Sequence, residues 1–125
     1  MKFFILLSAF ATLLLSSGDC KKKKANDGRY KGKLEIAGIC MNYTIKVVTG
    51  NMDASATEAG WKDETTGKSY TNVFKLGNPC DFPATIKQGD EFYFTIDSSK
   101  SNPCIVCMAY YPTPSKILSI KVMEK

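Results

Sequence analysis

No histidine occurs anywhere in the 125 residues, and that absence removes most of the familiar catalytic constellations. Ser-His-Asp and Cys-His nucleophile pairs, HExxH zinc sites and imidazole proton shuttles all need that side chain. Phosphate-cradling loops of the GxxxxGK[ST] or GxGxxG type are missing as well, so nothing is written to hold a nucleotide by its phosphates. Charge of one sign is scarce in the body. The formal charge is +5, yet the lysines at 21–24 supply four of those charges, and from Ala25 onward 12 basic residues face 11 acidic ones. A near-neutral body without a Lys/Arg stripe excludes an ordinary nucleic-acid face. Adjacent carboxylates occur at Asp63–Glu64 and Asp90–Glu91, but neighbours in extended chain point apart. Both pairs read as solvated turn residues rather than an acid–base couple. The chain reads as non-catalytic, with no cofactor and no metal.

A membrane-spanning hydrophobic run is also lacking. The longest apolar stretch, residues 3–15, is broken only by Ser8 and Thr12, and it falls short of the roughly 20 residues needed to cross a ~30 Å hydrocarbon core. Preceded by Met1 and Lys2 and followed by Ser16, Ser17 and Gly18, it has the form of a secretory signal peptide over residues 1–19. An exported chain meets an oxidising compartment in which thiols pair. Five cysteines are present, at 20, 40, 80, 104 and 107, and the odd one out is Cys20, at the end of the leader. The leader, Cys20 and the lysines behind it resemble the start of bacterial lipoproteins, particularly the small Bacteroidetes type that continues Cys-Lys-Lys. That resemblance covers residues 1–24. It implies a thioether-linked diacylglycerol, with palmitate-type chains, on Cys20, and a protein anchored to the bacterial outer membrane, facing periplasm or surface. The chain departs from the usual lipobox at Ser17, where leucine is typical, and at Asp19, where a small residue is typical. The alternative is cleavage after Gly18, which leaves a soluble secreted protein with a free or intermolecular Cys20. Residues 20–29 hold almost nothing to bury and read as a flexible basic tether, its lysines attracted to anionic headgroups by roughly 1 kcal/mol each.

The body, residues 30–125, is one domain, and its period is two rather than 3.6. Leu34 and Ile36 alternate with Lys33 and Glu35. Tyr43, Ile45 and Val47 alternate with Thr44, Lys46 and Val48. Phe92, Phe94 and Ile96 alternate with Tyr93 and Thr95, and Leu118, Ile120 and Val122 with Ser119 and Lys121. Such alternation, rich in β-branched and aromatic residues, is the strand signal. "SYTNVFKLG" reads as a further strand, and "CIVCMAYY", apolar on both faces, reads as a strand covered on both sides. "MDASATEAGW" has the composition for a single helical turn; no long amphipathic helix is written anywhere. The expectation is an all-β domain of about six strands, closed or partly closed because a small open sheet leaves its edges bare. "GNPCDFPATIKQGDEFYFTI" resembles the segment of small OB-like barrels in which a Pro-containing loop leads into a strand. A β-sandwich is the alternative.

Cys104 and Cys107 form a CxxC, the spacing of dithiol oxidoreductases and of one zinc knuckle. Redox pairs place the first cysteine at a helix N-terminus, whereas this one sits in a strand-like run. Residues three apart on a strand face opposite ways, so the two sulfurs favour different partners, Cys40 and Cys80, in either of two pairings. Met41 and Met108 beside these cysteines would suit Cu(I), or else belong to the core. Envelope thiol-redox or copper handling by Cys104 and Cys107 is therefore the alternative to structural disulfides at all four. Trp61, Tyr93, Tyr110 and Tyr111, with Tyr70, are candidates for an exposed aromatic face that stacks a ligand. With nucleic acid excluded by charge, that ligand is an envelope protein, a peptide or a saccharide. The function expected is a lipid-anchored envelope protein with a non-catalytic binding domain, or a soluble secreted inhibitor-like domain if Cys20 is unmodified.

Overall fold

The computed structural model describes residues 28–99 and 103–124; the leader, Cys20 and nearly all of the expected tether lie outside the described residues. Eight strands and three short 3-10 turns make up the described chain. Strand β1 spans Tyr30–Ala37, β2 Tyr43–Thr49, β3 Trp61–Lys62, β4 Ser69–Tyr70, β5 Val73–Leu76, β6 Glu91–Ile96, β7 Ile117–Leu118 and β8 Ile120–Val122. The expected helical turn is the 3-10 turn Ala54–Ala56, capped by Asp53.

Six strands form one sheet in the order β7-β5-β2-β1-β6-β8, and β3 and β4 form a separate hairpin. The two edges of the large sheet, β7 and β8, are consecutive halves of one terminal segment. Its first half pairs in parallel with β5 and its second half antiparallel with β6. The sheet thereby curls into a nearly closed barrel rather than a sandwich. Counting β7–β8 as one strand, the order around the barrel is first, second, third, fifth, fourth, which is the Greek-key circuit of an OB-like barrel.

One buried side chain completes the closure. Asn78, 3% exposed just beyond β5, donates its amide to the Ile120 carbonyl (2.7 Å) and accepts from the Ile120 N–H (2.9 Å). It supplies to β8 the two bonds a neighbouring strand would have supplied, at the point where β5 has ended.

The inward alternation fills the barrel with Leu34, Ile45, Val47, Phe74, Leu76, Phe92, Phe94 and Ile120. Phe94 is the hub, with ring centroids of Tyr30, Phe92 and Phe74 at 5.5, 5.9 and 6.0 Å. Gly32 makes room for it, since a Cβ there would stand 2.8 Å from the Phe94 ring. Phe82, on the stretch leading from β5 to β6, packs edge-on against Phe92 and Tyr43 (5.4 and 5.8 Å). It plugs the end of the barrel where β1 finishes and β2 begins.

Three expectations need correction. "CIVCMAYY" is not a strand: residues 103–110 are irregular and exposed, with Ile105 100% and Met108 96% accessible. Its cysteines bond to two different elements, which holds the segment along the barrel end instead of at a sheet edge. Ile36 does not share the inward face with Leu34. A register shift between them sets Ile36 opposite Thr44, and paired residues share a face, so Ile36 points outward. Asp63 is not a solvated turn residue; it is 1% exposed, while Glu64 beside it is exposed.

Asp63 belongs to a recurring D-x-[ST] device. Asp53, Asp63 and Asp97 each accept the backbone N–H and the hydroxyl of the residue two further on, at 2.6–2.9 Å. Those donors hold all three carboxyls below the ordinary carboxylate range. For Asp63, burial pushes upward and the donors from Thr65 and Thr66 together outweigh it. A carboxyl whose folded value is lowered stabilises the fold above its unfolded value and loses that contribution as pH falls through the folded one. Thermal melts should therefore be flat down to about pH 4 and fall steadily below it. Asp63→Ala, which orphans two donors, should cost ~1–2 kcal/mol at pH 7 and make that acid limb shallower.

Candidate functional site: the disulfide-braced apolar end

In the turn between β1 and β2, Gly38 N–H closes onto the Asn42 carbonyl at 3.2 Å. Within it, Cys40 and Met41 both adopt left-handed backbone, at φ 56° and 58°. Consecutive non-glycine residues there cost of order 1 kcal/mol or more each and persist only where surroundings hold them. The holding element is a disulfide from Cys40 to Cys107, Cα–Cα 4.9 Å. A second disulfide joins Cys80, in the 3-10 turn Pro79–Asp81 after β5, to Cys104, Cα–Cα 5.6 Å. All four cysteines of the described chain are thus paired, each member of the CxxC with a different loop.

These bonds decide the course of the β6–β7 connection, residues 97–116. β6 runs antiparallel to β1, so Ile96 ends near Tyr30. Cys40 and Cys80 follow the far ends of β1 and β5. Residues 104–107 are therefore clamped at the opposite end of the barrel from Ile96, and Asn42 adds a 3.3 Å bond to the Ala109 carbonyl. What it presents there is apolar: Ile105, Met108 and Tyr110 are 100%, 96% and 81% exposed, beside Ile39 at 58%, Met41 at 39% and Val106 at 38%. Neither methionine is in the core. A recess of about 390 Å³ opens under Met41, lined by Tyr43, Pro79, Phe82 and Ile86.

The return path covers the side of the barrel. Residues 111–116 leave the β1–β2 turn, where the Tyr111 ring packs over Gly38. They reach β5 where the Lys75 N–H meets the Lys116 carbonyl at 2.7 Å. β2 lies between those points, and its outward Thr44 is fully buried, as is Val73, which pairs with outward Lys46. Pro112 and Pro114 are buried in this layer, and Ser115 donates to Glu58, itself bridged to Val73. The β3–β4 hairpin completes the cover. Burial raises the Tyr70 hydroxyl above its ordinary value, helped by the carboxylates of Asp63 and Glu35 and by Tyr111. Among the described residues, one side-chain oxygen each of Glu35, Thr44 and Asp63 is buried without a hydrogen-bond partner. OB-like barrels bind oligonucleotides and oligosaccharides on the face of their second and third strands. Here the chain's own residues occupy that face.

The candidate aromatics are dispersed rather than gathered. Trp61 stacks on Tyr70 at 5.8 Å on the hairpin. Tyr111 belongs to the side cover, and Tyr110 to the apolar end. Tyr93 stands apart on β6, with the Lys31 ammonium 6.0 Å from its ring centroid. It borders an open cleft of about 830 Å³ with Ile86, Glu91 and Met123; Glu91 pairs with Lys31 at 2.8 Å and raises the lysine above its ordinary value. Tyr110 is the one candidate aromatic that joins other exposed apolar side chains. Trp61→Ala, removing a ring outside the barrel core, should cost ~1 kcal/mol and leave the barrel's melting transition cooperative. Loss of the folded β-sheet spectrum would place Trp61 in the core instead.

Sequence reasoning missed Ile39, Met41, Ile105, Val106 and Met108 as surface residues. An apolar run broken by two cysteines that need separate partners was the available signal. Among the described residues no group of three or more His, Cys, Asp or Glu side chains is arranged to hold a metal ion, and no helix is long and apolar enough to cross a membrane. No protein-family model, curated protein or solved structure matches the chain.

Proposed function

We propose that this is an exported, lipid-anchored cell-envelope protein whose OB-like barrel is a non-catalytic interaction module, with the disulfide-braced end as its contact surface. The observation that carries the reading is the exposed apolar cluster of Ile105, Met108 and Tyr110, held by bonds to two separate loops. Monomers seldom leave a contiguous apolar patch bare without a use for it, and rigid presentation lowers the ordering cost of binding. Paired cysteines suit an oxidising compartment. The absence of histidine and the near-neutral body favour contact over catalysis and over nucleic acid. Anchoring at Cys20 explains the odd cysteine as well as the end of the leader.

Fractionation tests the anchor. Wild-type protein should sediment with membranes and carry a diacylglycerol mass on Cys20, while Cys20→Ser should move to the soluble fraction. A serine variant that stays with membranes through a high-salt wash, together with an unlipidated wild-type mass, would refute it.

A further inference from the structure

We infer that the disulfide-braced end is a self-association surface, and that its occupant is a second copy of this chain. The inference rests on reading that end as the contact surface and names its partner. Three observations single out a second copy. The first is charge: residues 103–115 contain no charged side chain, so two such surfaces meet without repulsion, and a lysine-rich or acidic partner finds nothing to pair with. The second is area. Ile39, Met41, Ile105, Val106, Met108 and Tyr110, at 38–100% exposure, together offer a surface, backbone included, of the order of the roughly 800 Å² that each partner buries in a stable complex. The third is where the rest of the chain attaches. The described chain enters at Gly28 and β1 starts at Tyr30, so residues 1–27 attach at the end of the barrel opposite the cluster. Ten residues at 20–29 can span up to ~35 Å, more than the ~25 Å length of an eight-residue strand, so copies tethered to one surface can still meet.

The backbone suits an isologous contact. Residues 103–110 belong to no strand, and of their backbone groups the Ala109 carbonyl is held by Asn42; an exposed segment outside any ladder is one that can take a neighbouring strand. Two copies of one segment can pair antiparallel about a two-fold axis, residue i of one meeting residue j of the other and the reverse. The pinned turn at Cys40 and Met41 holds Ile39 beside the segment in both copies.

Sedimentation velocity on the full chain carrying Cys20→Ser, exported and with its disulfides intact, reads the result directly. The expected outcome is a concentration-dependent monomer–dimer equilibrium between 1 and 100 μM (roughly the range of weak homodimers), with amides 104–110 gaining hydrogen-exchange protection as the dimer fills. Met108→Glu buries an unpaired charge in the contact and should weaken the dimer by on the order of 100-fold, while its melting temperature in the monomer stays unchanged because Met108 is exposed. Ile105→Asp, on the fully exposed neighbour, should do the same. A protein that is monomeric at 100 μM overturns the inference, as does a dimer indifferent to both substitutions. A monomer that instead floats with phosphatidylethanolamine–phosphatidylglycerol vesicles, and loses that with Met108→Glu, makes a bilayer the occupant; the self-association is then wrong while the surface stands. A monomer that neither floats nor responds to either substitution removes the surface as well.

Discussion

Loss of the Cys40–Cys107 disulfide, as the Cys40→Ser, Cys107→Ser double variant, should lower stability by ~4 kcal/mol. The bond closes a loop with a sequence separation of 67, and in the chain-entropy account longer loops constrain the unfolded chain more. The same account gives ~3.5 kcal/mol for Cys80–Cys104, whose separation is 24. The second loop lies inside the first, so their contributions do not add. For a domain this small, ~4 kcal/mol corresponds to a fall of roughly 15–30 °C in melting temperature. Removal of Cys40–Cys107 also frees a turn whose Cys40 and Met41 sit in left-handed backbone, so the 39–41 amides should lose exchange protection ahead of the barrel strands. Melts of the double variant against wild type read the effect, and reductant, which opens both bonds, should lower the melting temperature at least as far. An unchanged melting temperature would mean that the fold owes nothing to these bonds.

Asn78→Ala should cost ~3 kcal/mol, the largest loss expected of a substitution that leaves both disulfides in place. The substitution strands the N–H and C=O of Ile120, a residue 3% exposed, and each unsatisfied buried group costs ~1–3 kcal/mol. Asn78→Asp keeps the acceptor for the Ile120 N–H but sets a carboxylate oxygen against the Ile120 carbonyl, so it should be no better than alanine. Urea unfolding compares the two directly. Hydrogen exchange adds a locational check, because β8 should open before β1 and β2 in both variants. A loss under 1 kcal/mol for Asn78→Ala would show that the barrel closes through its strand pairs alone.

The strands with one face in the core were legible because alternation is a local signal. Leu34, Ile45, Val47, Phe92 and Phe94 point inward as their spacing requires. What depended on a partner was not. The register shift before Ile36 leaves no trace in the spacing of β1 itself, since it is set by pairing with β2. "KILSIKVME" reads as one strand, and its division at Ser119 arises only because its halves pair with β5 and β6. Asn78 lies in a turn-like stretch whose sequence gives no hint of a barrel closure 42 residues downstream. The run at 104–111 was misassigned for a different reason. An apolar sequence without polar alternation describes a buried strand and an exposed contact surface equally well, and here the cysteines decided between them. The two pairings left open by the sequence resolve as Cys40 with Cys107 and Cys80 with Cys104. Of the aromatic candidates, Tyr110 meets the apolar cluster, whereas Trp61 and Tyr93 are placed on other elements.

The contact surface exists only while residues 104–107 are tied to the barrel end, and peptide mapping without reduction tests that most directly. Exported protein, alkylated to block any free thiol and then digested between its cysteines, should yield linked peptides that join Cys40 to Cys107 and Cys80 to Cys104, with no alkylated thiol at any of the four. A peptide carrying an internal Cys104–Cys107 bond, or free thiols at those positions, would release the segment from the barrel end and contradict the account.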